Sequence, residues 1–336
     1  MKTIWKIIII TITAGLILSI IGFSLGASRV LYLDRTGVRT SGSGVSQITE
    51  MNLGNFKNIY VDVGLSDVEL INSDRYGIDL YGEDMEWIWT IEGDLLRITH
   101  NRSSRVQIMS IDFFQSERNY AKIYIPENVD LETVTIKTSS GDIKLGSFTA
   151  DKVEVTNSFG KVDLSNITSN QLKVDLSSGN FTGLNISTGS LVYNNRFGDG
   201  RFQSINAGSL KADSSSGDLQ LTDCLFTEAS ISNSFGKITA NGLTSTKSNI
   251  QASSGNIVIT GDFTGETIVH ADFGDIKLTS SRSREEYSFD ISVRFGSIRF
   301  DGEKFGDQAS ITSGSTLENH LKITASSGDI EVNFAG

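Results

Sequence analysis

The chain has almost no proline and almost no cysteine, one of each in 336 residues. With Pro126 alone to interrupt backbone pairing, long strand runs can keep their amide donors. Cys224 cannot form an internal disulfide, so the fold must be held by packing and by hydrogen-bonded ladders. A basic excess is also missing. Lys and Arg number 29 against 40 Asp and Glu, a formal net charge of -11, which argues against a phosphate-tracking surface and hence against nucleic acid as a partner. The three histidines, His100, His270 and His320, show no zinc-type spacing. Glycine is what the chain has in quantity, and its 33 residues point to many tight turns.

Long apolar runs are scarce, and the main one lies at the start. Residues Ile7 to Ser28 carry no charge, enough chain to cross roughly 30 Å of hydrocarbon as a helix. A cleaved signal peptide is the competing reading. The run from Ile7 to Ala27 is longer than the usual apolar core of about 7 to 15 residues, and no A-x-A site follows, so a retained anchor is expected. Lys2 and Lys6 before the span face Arg29, Arg35 and Arg39 after it, so charge alone does not orient it. The short amino-terminal tail and the large acidic body suit a single-pass signal-anchor of a bacterial plasma membrane with the body exported. The expected organisation is a cytoplasmic tail at 1–6, the anchor at 7–28, a linker at 29–50, an irregular β cap region at 51–130 and a regular β-solenoid at 131–336. Within the linker, Gly37 to Ser46 reads as a flexible polar tether around Ser41-Gly42-Ser43-Gly44.

From Gly141 onward a glycine recurs every 19 residues, at Gly160, Gly179, Gly198, Gly217, Gly236, Gly255 and Gly274, with wider spacing to Gly296 and Gly328. This period belongs to solenoids. Apolar columns align on it. Five residues before the Gly stand Ile136, Val155, Val174, Tyr193, Ala212 and Ile231, and two after it Ile143, Val162, Phe181, Gly200, Leu219 and Ile238. Seven after it come Phe148, Ile167, Ile186, Ile205, Cys224 and Leu243. Spacing of two within each short run is the strand period, and three apolar stations per coil predict a three-sided, all-β parallel β-helix. Stacked at about 4.8 Å, ten such anchors make a rod of roughly 50 Å. A slower rhythm is superposed. The residue before the Gly alternates Ser and Phe, and the residue after it runs Asp142, Lys161, Asn180, Asp199 and then Asp218, Lys237, Asn256, Asp275. A 76-residue unit therefore looks duplicated in tandem, Ser139 to Ser214 with Ser215 to Asp290.

Before the repeats, Ile59 to Val63, Val68 to Asn72, Ile88 to Ile91 and Leu95 to Thr99 read as strands without fixed period, with Trp87 and Trp89 placed to plug the open end. The layout of short tail, single span, irregular β start with Val61-Asp62-Val63 and repeated Ser-Ser-Gly-Asp-Ile elements at Ser139 to Ile143 and Ser326 to Ile330 resembles the LiaG-like membrane-anchored proteins. That family carries the bacterial putative-adhesin domain of unknown function and belongs to cell-envelope stress operons. The resemblance covers nearly the whole chain. It implies an extracytoplasmic β-helix linked with envelope stress, and it brings no catalytic residues to carry over.

Calcium rolls use a nine-residue unit with paired glycines, and here the Asp column is broken by Lys161 and Lys237, so solvated charge pairs between coils are expected in place of bound cations, and no cofactor. A polysaccharide-active enzyme needs clustered carboxylates with a basic partner. The best local group, Arg282, Arg284, Glu285 and Glu286, sits in an insertion and reads as a polar loop. Cys224 falls in an apolar column and is expected to be a buried structural thiol. Phe159, Phe197, Phe235 and Phe273 recur every second coil, about 9.6 Å apart, too far for direct aromatic pairs. Packing of Phe on Ser is the expected role, and a glycan-contact column the minority reading. Insertions after Gly274 and Gly296 make Arg282, Arg284, Glu285, Glu286, Glu303, Lys304, Glu318 and His320 candidate interaction loops. The alternative is that these loops cap the end and shield a last strand at Ile330 to Phe334. The functional expectation is a non-enzymatic scaffold or adhesin-like protein that engages envelope proteins or wall polymer. A regulatory or ligand-sensing partner of a membrane signalling system is the alternative, and an enzyme the lesser one.

Overall fold

In a computed structural model the described residues are 5, 6, 8, 11–15, 17, 18, 30–34, 37–40, 45–83, 85–101, 106–110, 118–306, 308–313 and 317–335. Most of the span expected at residues 7–28, and all of Ser41 to Gly44, lie outside them. The described positions among residues 5–18 are helical, and Trp5, Ile12 and Leu18 are exposed there. Among the described residues no helix is long and apolar enough to cross a membrane. Strands Val30–Asp34, Gly37–Thr40 and Val45–Met51 occupy much of the stretch expected to be a linker.

The body is a parallel β-solenoid. Strands Ile143–Phe159, Val162–Ser178, Phe181–Phe197 and Gly200–Ser216 stack in register at an offset of 19 residues, and Ile238–Ser254 and Ile257–Phe273 continue the stack. Each coil turns inward in three runs. In Val162–Ser178 the buried positions are Val162 and Leu164, then Ile167 and Ser169, then Leu172, Val174 and Leu176. Columns of Ile and Val form because β-branched side chains fit a pleated surface with one face buried in the core. The columns read from sequence are all buried, from Ile136 at 0% exposure to Ile330 at 1%. Each full burial contributes roughly 1.5–3 kcal/mol. Local size changes compensate one another. Tyr193 replaces Val or Ile in its column, Gly200 leaves the room, and Phe181, Tyr193 and Phe202 pack with ring centroids 5.1 to 5.2 Å apart. Burial pushes the Tyr193 hydroxyl up to about 12, and Asn195 Nδ2 donates to it at 3.0 Å.

Both ends depart from the sequence reading. The first coil of the stack is not Gly141's. Asn58–Leu65 pairs parallel with Asp130–Ser140, and Asp67–Ser73 pairs with Ile143 to Leu145, so that Ser66 occupies the corner position below Gly141. The chain then leaves the stack for a cap. Gly77–Glu83, Glu86–Glu92, Leu95–Asn101 and Tyr120–Pro126 add strands beside that first coil, and Trp87 is buried at 5% exposure.

At the other end the coils stack out of chain order. Asn319–Ser327 pairs with Ile257–Phe273 on one side and with Tyr287–Phe295 on the other. Ile330–Phe334 likewise lies between Ile276–Ser280 and Ile298–Phe300. The expectation that the loops shield Ile330 to Phe334 as an open edge is therefore corrected, because this last strand is interior. The outer coil is Tyr287–Phe300, covered by antiparallel Glu303–Phe305 and Ser310–Thr312. The intervening segments span one coil's height and leave a slot that the carboxy-terminal strands fill.

Candidate functional site

Each coil's corner Gly has φ between +116° and +154°, and a Cβ there would run into the carbonyl of the corner residue one coil below, Ser66 under Gly141 and a Gly under each of the others. Glycine is required at this corner, and it fixes what stands on either side. The residue after the Gly faces outward, with its side-chain oxygen under the backbone N–H of the next coil. Lys161 N donates to Asp142 Oδ1 at 2.8 Å, Asp199 N to Asn180 Oδ1 at 2.9 Å, Lys237 N to Asp218 Oδ1 at 2.8 Å and Asp329 N to Asp275 Oδ1 at 2.9 Å. The Asp and Asn of this column serve the ladder. The inter-coil charge pairs expected there are replaced by these caps, and Lys161 Nζ instead pairs along its own strand with Asp163 at 2.8 Å.

The residue before the Gly alternates in space as in sequence. Ser140, Phe159, Ser178, Phe197, Ser216, Phe235, Ser254 and Phe273 pair in register, one above the next. Coil exchange at the far end preserves the rhythm, because Ser327 sits between Phe273 and Phe295. At the near end Leu65 pairs with Ser140. The rings point outward, with Phe159 and Phe197 60% exposed, Phe235 63%, Phe273 65%, Phe295 58% and Leu65 68%. Sequence reasoning named four of these residues and missed Leu65 and Phe295, whose neighbours in space are not their neighbours in the 19-residue register.

Beside the stripe runs a polar trough of about 450 Å³, lined by residues such as Asp175, Asn194, Arg196, Asp213 and Ser234. Its carboxylates are engaged by Lys173 at 2.8 Å to Asp175 and Lys211 at 3.3 Å to Asp213. Below it Asn157, Asn195 and Asn233 are buried and donate to the carbonyls of Gly141, Gly179 and Gly217 at 2.8–3.0 Å.

The charged loop residues largely build their own loop. Arg282 bonds Asp262 and, at 2.9 Å, Glu286, which raises the Arg282 pKa and holds Glu286 below the usual carboxylate range. Glu286 also closes a capping box with Ser283 on the turn Arg284–Glu286, and the Arg284 guanidinium lies 4.7 Å from the Phe300 ring centre. His320 Nδ1 lies 3.0 Å from Ser288 Oγ, and His270 bridges Thr324 and Asp272. Glu285, Glu303, Lys304 and Glu318 are exposed. Arg282 to Glu286 thus lie together, while Glu303 and Lys304 sit on the antiparallel cover. Among the described residues no group of three or more His, Cys, Asp or Glu is placed to hold a metal ion. Cys224 is 2% exposed, its thiol lies 3.4 Å from the Thr222 carbonyl, and burial raises its pKa.

A family model described as Toastrack DUF4097 matches residues 56–333. Among solved structures the chain is similar to a putative adhesin from Bacteroides fragilis NCTC 9343, at 13% identity over 85% of this chain and 97% of that one, TM-score 0.35. It is similar to a putative cell adhesion protein from Clostridium sporogenes ATCC 15579, at 10% identity over 86% and 100%, TM-score 0.19. A putative lipid binding protein from Parabacteroides distasonis ATCC 8503 matches at 12% identity over 87% and 97%, TM-score 0.38. No curated protein matches the chain.

Proposed function

The chain belongs to the Toastrack DUF4097 family, and from that premise we propose that it is a non-catalytic scaffold of the bacterial cell envelope. In this reading residues 7–28 anchor it in the plasma membrane and the body stands outside as a stiff rod. The observation that carries the reading is the continuous parallel ladder from Asp130–Ser140 through Ile257–Phe273, in register at 19 residues except for a local shift at Leu243 to Ser245, in which strands are paired on both sides. Such a body resists bending and sets a fixed distance. Its recurrent carboxylates are committed to capping backbone amides, which is a structural use. Exposed groups in the loops and cover at this end, Glu285, Glu303, Lys304 and Glu318, are the positions offered to an envelope protein or wall polymer. The LiaG-like layout adds a role in envelope stress.

Two measurements test this. A cysteine placed in Ser41 to Gly44 should react with a membrane-impermeant thiol reagent in whole cells, with buried Cys224 remaining silent. Protection until the membrane is broken would contradict the exported orientation. Crosslinking in intact cells followed by recovery of the chain should then capture an envelope component. A sensor kinase would favour regulation over adhesion, and glycan alone would favour adhesion.

A further inference from the structure

We propose that the stripe of alternating large and small side chains is a self-complementary interface, and that its occupant is a second copy of this chain packed antiparallel. The rings of Phe159, Phe197, Phe235, Phe273 and Phe295 stand on every second coil, with half-buried Ser residues between them. Neighbouring rings are about 9.6 Å apart, and a ring from a facing stripe entering above each Ser would lie about 4.8 Å from both, inside the range of aromatic pairs. The surface complementary to this stripe is the same stripe shifted by one coil. A twofold axis lying in the interface and perpendicular to the rods supplies that shift, and it makes every contact reciprocal.

The charge column beside the stripe selects the register. Under such an axis the column faces itself in reverse order. One register seats Phe295 over Ser140, Phe273 over Ser178 and Phe235 over Ser216 of the second copy. It also places Lys161 against Asp329, Asp218 against Lys237, Asn180 against Asp275 and Asp199 against Asn256, with no carboxylate opposite another. Sliding by two coils one way sets Asp199 against Asp218, and by two the other way Asp199 against Asp329. Sliding by four restores the complementarity, since the column repeats after four coils, but leaves several rings uncovered. The exposed area of five rings amounts to roughly 600 Å² per copy, and with the flanking Ser, Asp and Lys side chains it approaches the roughly 800 Å² per partner of stable interfaces. This pairing is independent of the scaffold reading above.

The test uses the full chain in detergent. Ser140→Cys and Phe295→Cys chains, treated with a short thiol-specific crosslinker, should give covalent dimer when mixed and none when either is treated alone, while buried Cys224 stays unmodified. Dimer from Ser140→Cys alone would mean parallel packing and would overturn the proposal, as would no crosslink in the folded mixture. The triple variant Phe197→Ser, Phe235→Ser, Phe273→Ser extends the Ser column and should melt like the parent yet lose the dimer in sedimentation. A dimer that survives the triple variant, or a monomeric parent whose rings are protected by lipid vesicles or glycan, would also overturn it.

Discussion

The side chains at each corner answer to the backbone of the adjoining coil, so substitutions there should split sharply by type. Gly217→Ala drives a Cβ toward the Gly198 carbonyl and should cost about 1–3 kcal/mol in denaturant unfolding. Asp218→Asn should be close to neutral, since Asn180 and Asn256 already hold that column, whereas Asp218→Ala leaves the Lys237 amide unpaired and should cost about 1 kcal/mol. Asp329 adds a pH signature. Hydrogen bonds from the Ser297 amide and hydroxyl lower its pKa, so its contribution to stability is present above the ordinary Asp range and is lost as pH falls through the lowered value. Asp329→Asn should flatten that part of the acid unfolding profile. In the core, Ile238→Asp should cost several kcal/mol, against less than about 1 kcal/mol for Lys161→Ala, whose ion pair with Asp163 is solvated. Columns of Ile and Val were legible in the sequence because hydrophobicity marks them. The inward column of Ala150, Ser169, Thr188 and Ala207 was not, since small and hydroxyl residues look like surface. Nor was the second corner, where Ser147, Asn166, Asn185, Ser204 and Asp223 have φ between +52° and +59°, although its Asn, Asp and Ser usage carries a signal.

Elements at the two ends show where periodicity stops being a guide. The coil at Asn58–Ser73 went unread because Ser66 stands in for glycine and the next corner, Gly141, follows only after the cap strands. The carboxy-terminal exchange was unreadable for another reason: register repeats name which residues share a column but not the order in which coils stack. A consequence can be measured by amide hydrogen exchange. Amides of Ile330–Phe334, paired on both sides, should exchange as slowly as those of Ile276–Ser280, and more slowly than those of Glu303–Phe305 and Ser310–Thr312 on the cover. Fast exchange confined to Ile330–Phe334 would restore the chain-order stacking. The loop chemistry was half legible. Arg282 and Glu286 were found as a charged group, but the tie of Arg282 to Asp262, on the paired strand of the neighbouring coil, appears only once the coils are stacked.

At the scale of the whole molecule, copy number sets the length of a stiff body. The tandem 76-residue units share the Ser–Phe alternation and the Asp, Lys, Asn, Asp order, so removing one unit removes four coils without breaking either rhythm. The most direct measurement is the longest dimension of the particle, by electron microscopy, for the parent and for a chain lacking Ser139 to Ser214. The rod should shorten by roughly 19 Å, four coil spacings, while still unfolding in one cooperative transition. An unchanged length, or a shortened chain that no longer unfolds cooperatively, would contradict a rod built by copying.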